Sequence, residues 1–187
     1  MRVELVAGQW VDVVAAANSA RSPDLARWVA RYKSGRYTVE RPLHLGAAVA
    51  GDDRLVGPYS AFGEPLGEAF QLRDDLLGVY GDPADTGKPS GDDLCEGKPT
   101  LLLALATSYV GGAGRRMIER VGSPDLGDDE IAGLRDLFER CGARAAVEAE
   151  IERRVAQSEQ ALAATRIFPR ARDGLHALAR LAVPRDR

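Results

Sequence analysis

The sequence predicts an all-α fold on three observations. Apolar residues recur at three- and four-residue spacing along most of the chain, no segment reads convincingly as a strand, and Gly and Pro breaks separate the helical runs. The pattern starts at once: Val3, Val6, Trp10, Val13 and Ala17 draw one apolar stripe. A stripe that begins without an N-cap residue is expected of a sequence taken from something longer. Ser22-Pro23 marks a second helix start, with Ser22 as cap and Pro23 in the first turn. Leu25, Trp28, Val29 and Tyr32 stripe that helix, and Gly35 is expected to interrupt it.

A further helix is predicted from Tyr37 to Ala50, with Pro42 kinking it or forcing a restart. Gly51-Asp52-Asp53 is a turn, and residues 54–80 form a long helical stretch that contains Gly63, Gly67 and Gly78. Each such glycine costs about 1 kcal/mol of helix stability relative to alanine, which implies close approach to another backbone or to a ligand. Gly81–Gly97 lacks periodicity and exceeds the roughly 12–15 residues of ordinary structureless loops, so it is predicted to be a functional loop. Pro99 opens another helix, Gly111-Gly112 ends it, and shorter runs follow, with breaks at Gly122-Ser123-Pro124 and Cys141-Gly142. Val147, Ile151 and Val155 stripe a charged helix near the end.

The length of 187 residues suits a single domain spanning 1–187. A net charge of −3, with both signs dispersed, gives no electrostatic reason to expect a nucleic-acid partner. No apolar run approaches the roughly 18 residues of a transmembrane helix. Cys95 and Cys141 stand in no metal-ligand spacing and read as free thiols of a cytoplasmic protein.

The chemistry concentrates in Phe70-Gln71-Leu72-Arg73-Asp74-Asp75-Leu76-Leu77-Gly78. Gln71 and Asp74 share a helix face, and Gly67 and Gly78 lie on the same stripe, where they are expected to clear space for a polyanion. Magnesium takes hard oxygen ligands and is held by one or two carboxylates plus substrate phosphates, which Asp74 and Asp75 suit. Lys88 and Lys98, on the following loop, offer positive charge to phosphate oxygens. An Asp-Asp pair alone reads more readily as a solvated face. Its setting among Gln71, Leu72, Leu76-Leu77 and a Lys/Gly loop favours a site. Gly87-Lys88 approximates a P-loop, but the spacing from Gly81 is one residue too long. Pro89 also stands where Ser or Thr would bind the metal, and no strand precedes the loop.

Residues Gly67–Gly78 resemble the second aspartate-rich region of trans-type polyprenyl diphosphate synthases. So do Gly81-Asp82-Pro83, Thr86-Gly87-Lys88-Pro89, Gly91-Asp92-Asp93 and Glu96-Gly97-Lys98-Pro99-Thr100. Gly8-Gln9-x-x-Asp12 and Tyr32-Lys33-Ser34-Gly35 resemble two earlier blocks of that family, so the likeness spans about residues 4–105. The resemblance implies an isoprenoid synthase-like helical bundle around a central cavity, of which these would be the C-terminal helices, with Mg²⁺ as cofactor. It also implies a homodimer or hetero-oligomer, and condensation of isopentenyl diphosphate with an allylic diphosphate through a carbocation.

By motif match, Asp74 would ligate magnesium and Asp75 would support its shell. Lys33 and Lys88 would grip the allylic diphosphate, with Lys98 and Asp93 assisting or ordering the loop. Ser34 and Gln71 would aim oxygen dipoles at the forming cation. Gln9 and Asp12 would line the cavity or form a polar stripe, and His44 is read as structural. Gly78 stands where many members carry a third aspartate, leaving Asp82 as an outer helper. The family's first aspartate-rich motif is not in the sequence: Asp52-Asp53, Asp92-Asp93 and Asp128-Asp129 fall out of order, in expected turns or loops. Two functions therefore compete: part of a prenyltransferase, or a non-catalytic subunit that pairs with and modulates a full-length synthase. A class I terpene cyclase, with its Asn/Ser/Glu metal motif, fits Asp74-Asp75 less well.

Overall fold

The computed structural model describes residues 2–87 and 89–183, apart from the side chains of 85 and 86. Every regular element among the described residues is a helix. In order they are α1 (Arg2–Ala17), α2 (Pro23–Val29), a π-helical segment (Ala30–Glu40), α3 (Arg41–Val49), a 3₁₀ turn (Asp53–Leu55) and α4 (Val56–Tyr80). Then follow α5 (Pro83–Thr86), α6 (Asp92–Cys95), α7 (Leu101–Tyr109), α8 (Gly112–Ile118), α9 (Asp128–Arg140), α10 (Ala143–Ala164) and α11 (Pro169–Ala182). The helices form two compact units. One comprises the described residues of Met1–Gln9, Val29–Gln71 and Glu150–Arg187, the other Trp10–Trp28 and Leu72–Ala149.

In the first unit the chain does not break at Gly35, as periodicity suggested. The residue sits within the π segment, whose wider turn lets the helix continue, and Arg41 N–H still donates to the carbonyl of Arg36 five residues back. Pro42 sits in the first turn of α3, where a missing N–H costs nothing, so the helix restarts without leaving helical geometry. The glycines of α4 are explained by backbone contact. A β-carbon at Gly67 would lie 2.1 Å from the carbonyl oxygen of Gly35, and one at Gly63 would lie 2.8 Å from the Cα of Glu40.

Buried charges reinforce this packing. Glu68 is 6% exposed and pairs with Arg154 at 2.8 Å and Arg31 at 3.3 Å. Burial raises its carboxyl above the ordinary range, against the pull of Arg154 and Arg31. Glu40 accepts a 2.7 Å hydrogen bond from Ser60. Glu4, in the first turn of α1, takes Arg41 Nε at 2.9 Å and Arg36 at 3.1 Å. The hydrogen bond from Arg41 outweighs the opposing effect of burial and lowers the Glu4 carboxyl to about 2. His44 is held by Ser60 at 2.9 Å and by the carbonyl of Val56 at 3.1 Å, in keeping with a structural role.

The core of the second unit is α7, whose Leu101, Leu102, Leu103, Ala104 and Ala106 are all buried. A helix buried on so many sides must be covered by others, and α8 and α9 both contact it. Helix α9 offers Ile131, Leu134, Leu137 and Phe138 as its buried stripe. Asp128 and Asp129 open this helix rather than occupying a loop, where their charge complements the N-terminal dipole.

Gly81–Gly97 is likewise not structureless. Asp82 caps α5 by accepting from the Ala84 N–H at 2.8 Å, and one-turn α6 follows. Both are single turns closed by local hydrogen bonds, too short to leave an apolar period. Cys95 and Cys141 are free thiols. The apolar stripe of α1 is largely solvent-facing: Val3, Val6, Trp10 and Val13 are each more than half exposed, at 82, 65, 69 and 54%.

Gly67→Ala should lower the unfolding free energy measured by denaturant titration by roughly 1–3 kcal/mol, the usual cost of forced overpacking. Gly57→Ala in the same helix, where an added β-carbon meets nothing within 4 Å, should be neutral or stabilising in the same titration. The folded pKa of Glu4 is depressed, so its contribution is full above its ordinary value of 4.5 and is lost as the pH falls toward 2. Melting curves of wild type and Glu4→Gln should differ at pH 6 and converge as the pH approaches 2.

Candidate active site

Helix α4 carries Gln71, Asp74 and Asp75, and its two consecutive aspartates meet different surroundings. Asp75 lies on the face of Leu72 and Leu76, both 3% exposed, and is itself only 7% exposed, whereas Asp74 is exposed. A carboxylate buried among leucines needs a counter-charge, and Lys98 supplies it with Nζ 3.0 Å from Asp75 Oδ1. The same ammonium reaches Asp93 Oδ2 at 2.9 Å. Burial alone would lower the Lys98 pKa, but the attraction of Asp75 and Asp93 prevails and raises it above the ordinary lysine value.

Local chain geometry makes this triad possible. One-turn α6 presents Asp93, and Gly97 then takes a positive φ of 69°, which turns the backbone back on itself. Lys98 N–H donates to the carbonyl of Asp93 at 3.0 Å, so backbone and side chain close on the same residue. Pro99 follows, and Thr100 caps α7 by accepting from the Leu103 N–H at 3.3 Å. The Asp93 carboxylate needs room beside α4, and Gly78 provides it: a β-carbon there would lie 2.3 Å from Asp93 Oδ2.

The clearances at Gly67 and Gly78 are therefore filled from within the chain, by the backbone of Gly35 and by the carboxylate of Asp93. They do not hold space open for an anion. Where a third aspartate of the motif would stand, the carboxylate present comes from α6.

In the first unit, Lys33 and Ser34 both lie half-buried in the π segment. Helix α1 crosses this segment backbone to backbone, since a β-carbon at Gly8 would lie 2.4 Å from the Lys33 nitrogen. Ser34 Oγ lies 3.4 Å from Thr38 Oγ1, one turn on. Gln71 is 9% exposed. Lys88 lies outside the described residues, and Asp82 is engaged as the cap of α5.

Sequence reasoning missed Arg135. From α9 it donates to the carbonyl of Val79 at 2.7 Å and to Ser90 Oγ at 2.6 Å, and Ser90 in turn donates to the carbonyl of Gly81 at 2.9 Å. One guanidinium thus ties the end of α4 to the far side of the loop that carries Lys88. It also missed Arg73, 8% exposed, which meets Glu148 of α10 in a two-pronged pair at 3.0 and 2.8 Å. An arginine in a charged amphipathic helix carries no signal in sequence that it faces inward.

No group of three or more His, Cys, Asp or Glu side chains arranged to hold a metal occurs among the described residues. The donors fit a hard cation that keeps some of its coordination for phosphate and water: Asp74 is exposed, and between Asp75 and Asp93 a positive charge already sits as the Lys98 ammonium.

A sequence profile described as polyprenyl synthetase matches residues 1–132. The (2E,6E)-farnesyl diphosphate synthase of Mycobacterium bovis is 35% identical over 188 residues, covering 98% of this chain and 52% of that protein. The octaprenyl diphosphate synthase of Escherichia coli is 36% identical over 128 residues, covering 67% of this chain and 39% of that protein. Among solved structures, the geranylgeranyl pyrophosphate synthase of Corynebacterium glutamicum, complexed with isoprenyl diphosphate and magnesium, matches with a TM-score of 0.94 and 39% identity. That match covers 100% of this chain and 53% of that one. The chain spans about half the length of the curated relatives it matches along its whole length.

The Gly78–Asp93 contact can be measured by a double-mutant cycle. Gly78→Ala should cost roughly 1–3 kcal/mol in denaturant unfolding. The cost should be much smaller in an Asp93→Ala background, because the clash is lost with the carboxylate.

Proposed function

Because the chain belongs to the polyprenyl synthetase family, we propose that it takes part in prenyl transfer between isopentenyl diphosphate and an allylic diphosphate. The observation that carries this reading is the pairing on α4 of an exposed Asp74 with a buried Asp75 whose counter-charge is a lysine. Asp74 is the magnesium ligand and Asp75 the support of its shell. When bound, Mg²⁺ neutralises diphosphate oxygens and favours departure of the diphosphate.

The chain's own residues do the rest by charge and position. Lys33 and Lys88 oppose the charge that grows on the leaving diphosphate as the allylic C–O bond breaks and its electron pair moves to oxygen, while Lys98, held by Asp75 and Asp93, orders the loop. Ser34 and Gln71 direct oxygen dipoles at the allylic cation. The isopentenyl double bond attacks that cation, a carbon–carbon bond forms, and a proton passes to the departed diphosphate.

The exposed stripe of Val3, Val6, Trp10 and Val13 supports assembly with another polypeptide, as a homodimer or a hetero-oligomer. It equally favours a second reading, a non-catalytic subunit that modulates a full-length synthase.

The test is a product assay with geranyl diphosphate, isopentenyl diphosphate and Mg²⁺. The purified chain is assayed alone, with the N-terminal half of a relative, and with a full-length synthase. Product that depends on this chain and falls on the order of a hundredfold in Asp74→Ala supports the catalytic reading. A changed product spectrum of the full-length partner, insensitive to Asp74→Ala, would replace it with the modulatory one.

A further inference from the structure

Helix α11 carries apolar residues on two sides. Its inner stripe, Leu175 and Ala179, is buried, and His176 Nδ1 stands 2.6 Å from Glu159 Oε2 of α10, which fixes the helix on that side. The outer apolar residues are in the open. Leu181 is 80% exposed with Leu178 exposed beside it, and Phe168, immediately before the first turn, is 85% exposed. Leu178 and Leu181 are three residues apart and share a face, and Arg170 lies on the same side nearer the start of the helix.

Charge distinguishes this surface from the exposed stripe of α1. Between Arg166 and Ala182 there are four arginines and a single acid, Asp173, in a chain whose net charge is −3. Arg166, Arg170 and Arg180 are exposed and form no ion pair with an acid among the described residues. Arg172 instead turns inward and donates to the carbonyl of Thr165 at 2.8 Å. The stripe of α1 is flanked by Glu4 and Asp12 as well as Arg2, so it has no excess of positive charge. Exposed phenylalanine and leucine set among unpaired arginines suit a helix that lies in a membrane interface.

We propose that α11 binds the surface of an anionic phospholipid bilayer and lies along it, with Phe168, Leu178 and Leu181 at the acyl boundary and Arg166, Arg170 and Arg180 on the phosphates. Arginine stems lie along apolar surface while their guanidinium groups reach the headgroups, and the planar fork pairs with phosphate through two hydrogen bonds. The inner contacts of α11 stay in place, so binding requires no unfolding. Three apolar side chains are a small anchor, so attachment is reversible and needs the apolar residues and the lipid charge together. A protein partner would also cover Leu181, but four arginines against one acid favour a surface that is anionic throughout. Prenyl diphosphates, the substrates proposed above, are amphiphiles that gather at the same interface, although the binding itself does not depend on that reading.

Flotation of the whole chain with vesicles of equal parts phosphatidylglycerol and phosphatidylcholine should carry it into the lipid layer. Binding to pure phosphatidylcholine should be at least about tenfold weaker. Leu181→Ser should weaken binding to the anionic vesicles about tenfold, and Arg170→Gln about fivefold, the share of one cationic side chain near such a surface. Both residues are exposed, so both variants should keep the circular dichroism of the wild type. Trp10→Ser, on the α1 stripe, should bind as the wild type does. Absence of binding to the anionic vesicles would overturn the proposal, as would binding that Leu181→Ser and Arg170→Gln leave unchanged. Should Leu181→Ser dissociate an oligomer in sedimentation without altering vesicle binding, α11 is a protein interface and the proposal falls.

Discussion

A carboxylate placed among leucines on α4 sets the terms for its surroundings. A buried carboxylate such as Asp75 calls for a partner, and removing one member of a buried pair typically costs several kcal/mol because the other charge is stranded. Lys98 must therefore come to it, and the chain between them is shaped to that end. The single turn of α6, the positive φ at Gly97 and the cap at Thr100 bring Lys98 to Asp75 within a few residues of the start of the buried helix α7. Asp93 shares the ammonium and fills the recess at Gly78. The same contact that neutralises Asp75 thus anchors α6 beside α4 and leads into the core of its unit.

The first unit depends on a different constraint, the approach of two backbones. The π segment that carries Lys33 and Ser34 is held between Gly8 on one contact and Gly67 on another, where β-carbons would collide with main-chain atoms. Around this seam, Glu4, Glu40, Glu64 and Glu68 are matched by Arg31, Arg36, Arg41 and Arg154. These pairs are partly buried and networked, so they contribute to a defined position for the segment more than isolated surface pairs do.

Much of this was legible in the residues themselves. Apolar periodicity located the long helices α1, α4 and α10, and Ser22-Pro23 located the start of α2. Phe70–Asp75, with the Gly, Lys and Asp pattern after it, suffices to identify the family. The glycines of α4 signal close approach to a backbone or a ligand, and the polyanion expected beside Gly67 and Gly78 gives way to the backbone of Gly35 and the carboxylate of Asp93. Periodicity failed where order is local or continuous through a glycine. It could not see α5 and α6, each a single turn, and it expected a break at Gly35 where a widened turn carries the helix through. Arg135 and Arg73 carried no signal, because nothing in an amphipathic pattern tells an arginine that reaches inward from one that does not.

The sequence by itself determined which long segments are helical and which family the chain belongs to. Both are encoded in residue types at short, fixed spacings, and a 3.6-residue period or a contiguous motif needs no knowledge of distant neighbours. Tertiary structure alone decided that Gly78 makes room for Asp93 and that Lys98 stands between Asp75 and Asp93. It also decided that Gly67 abuts Gly35. These partners lie between 5 and 32 residues apart in the chain. Which of them meet depends on how helices pack and where charge is desolvated, and neither has a signature at short range.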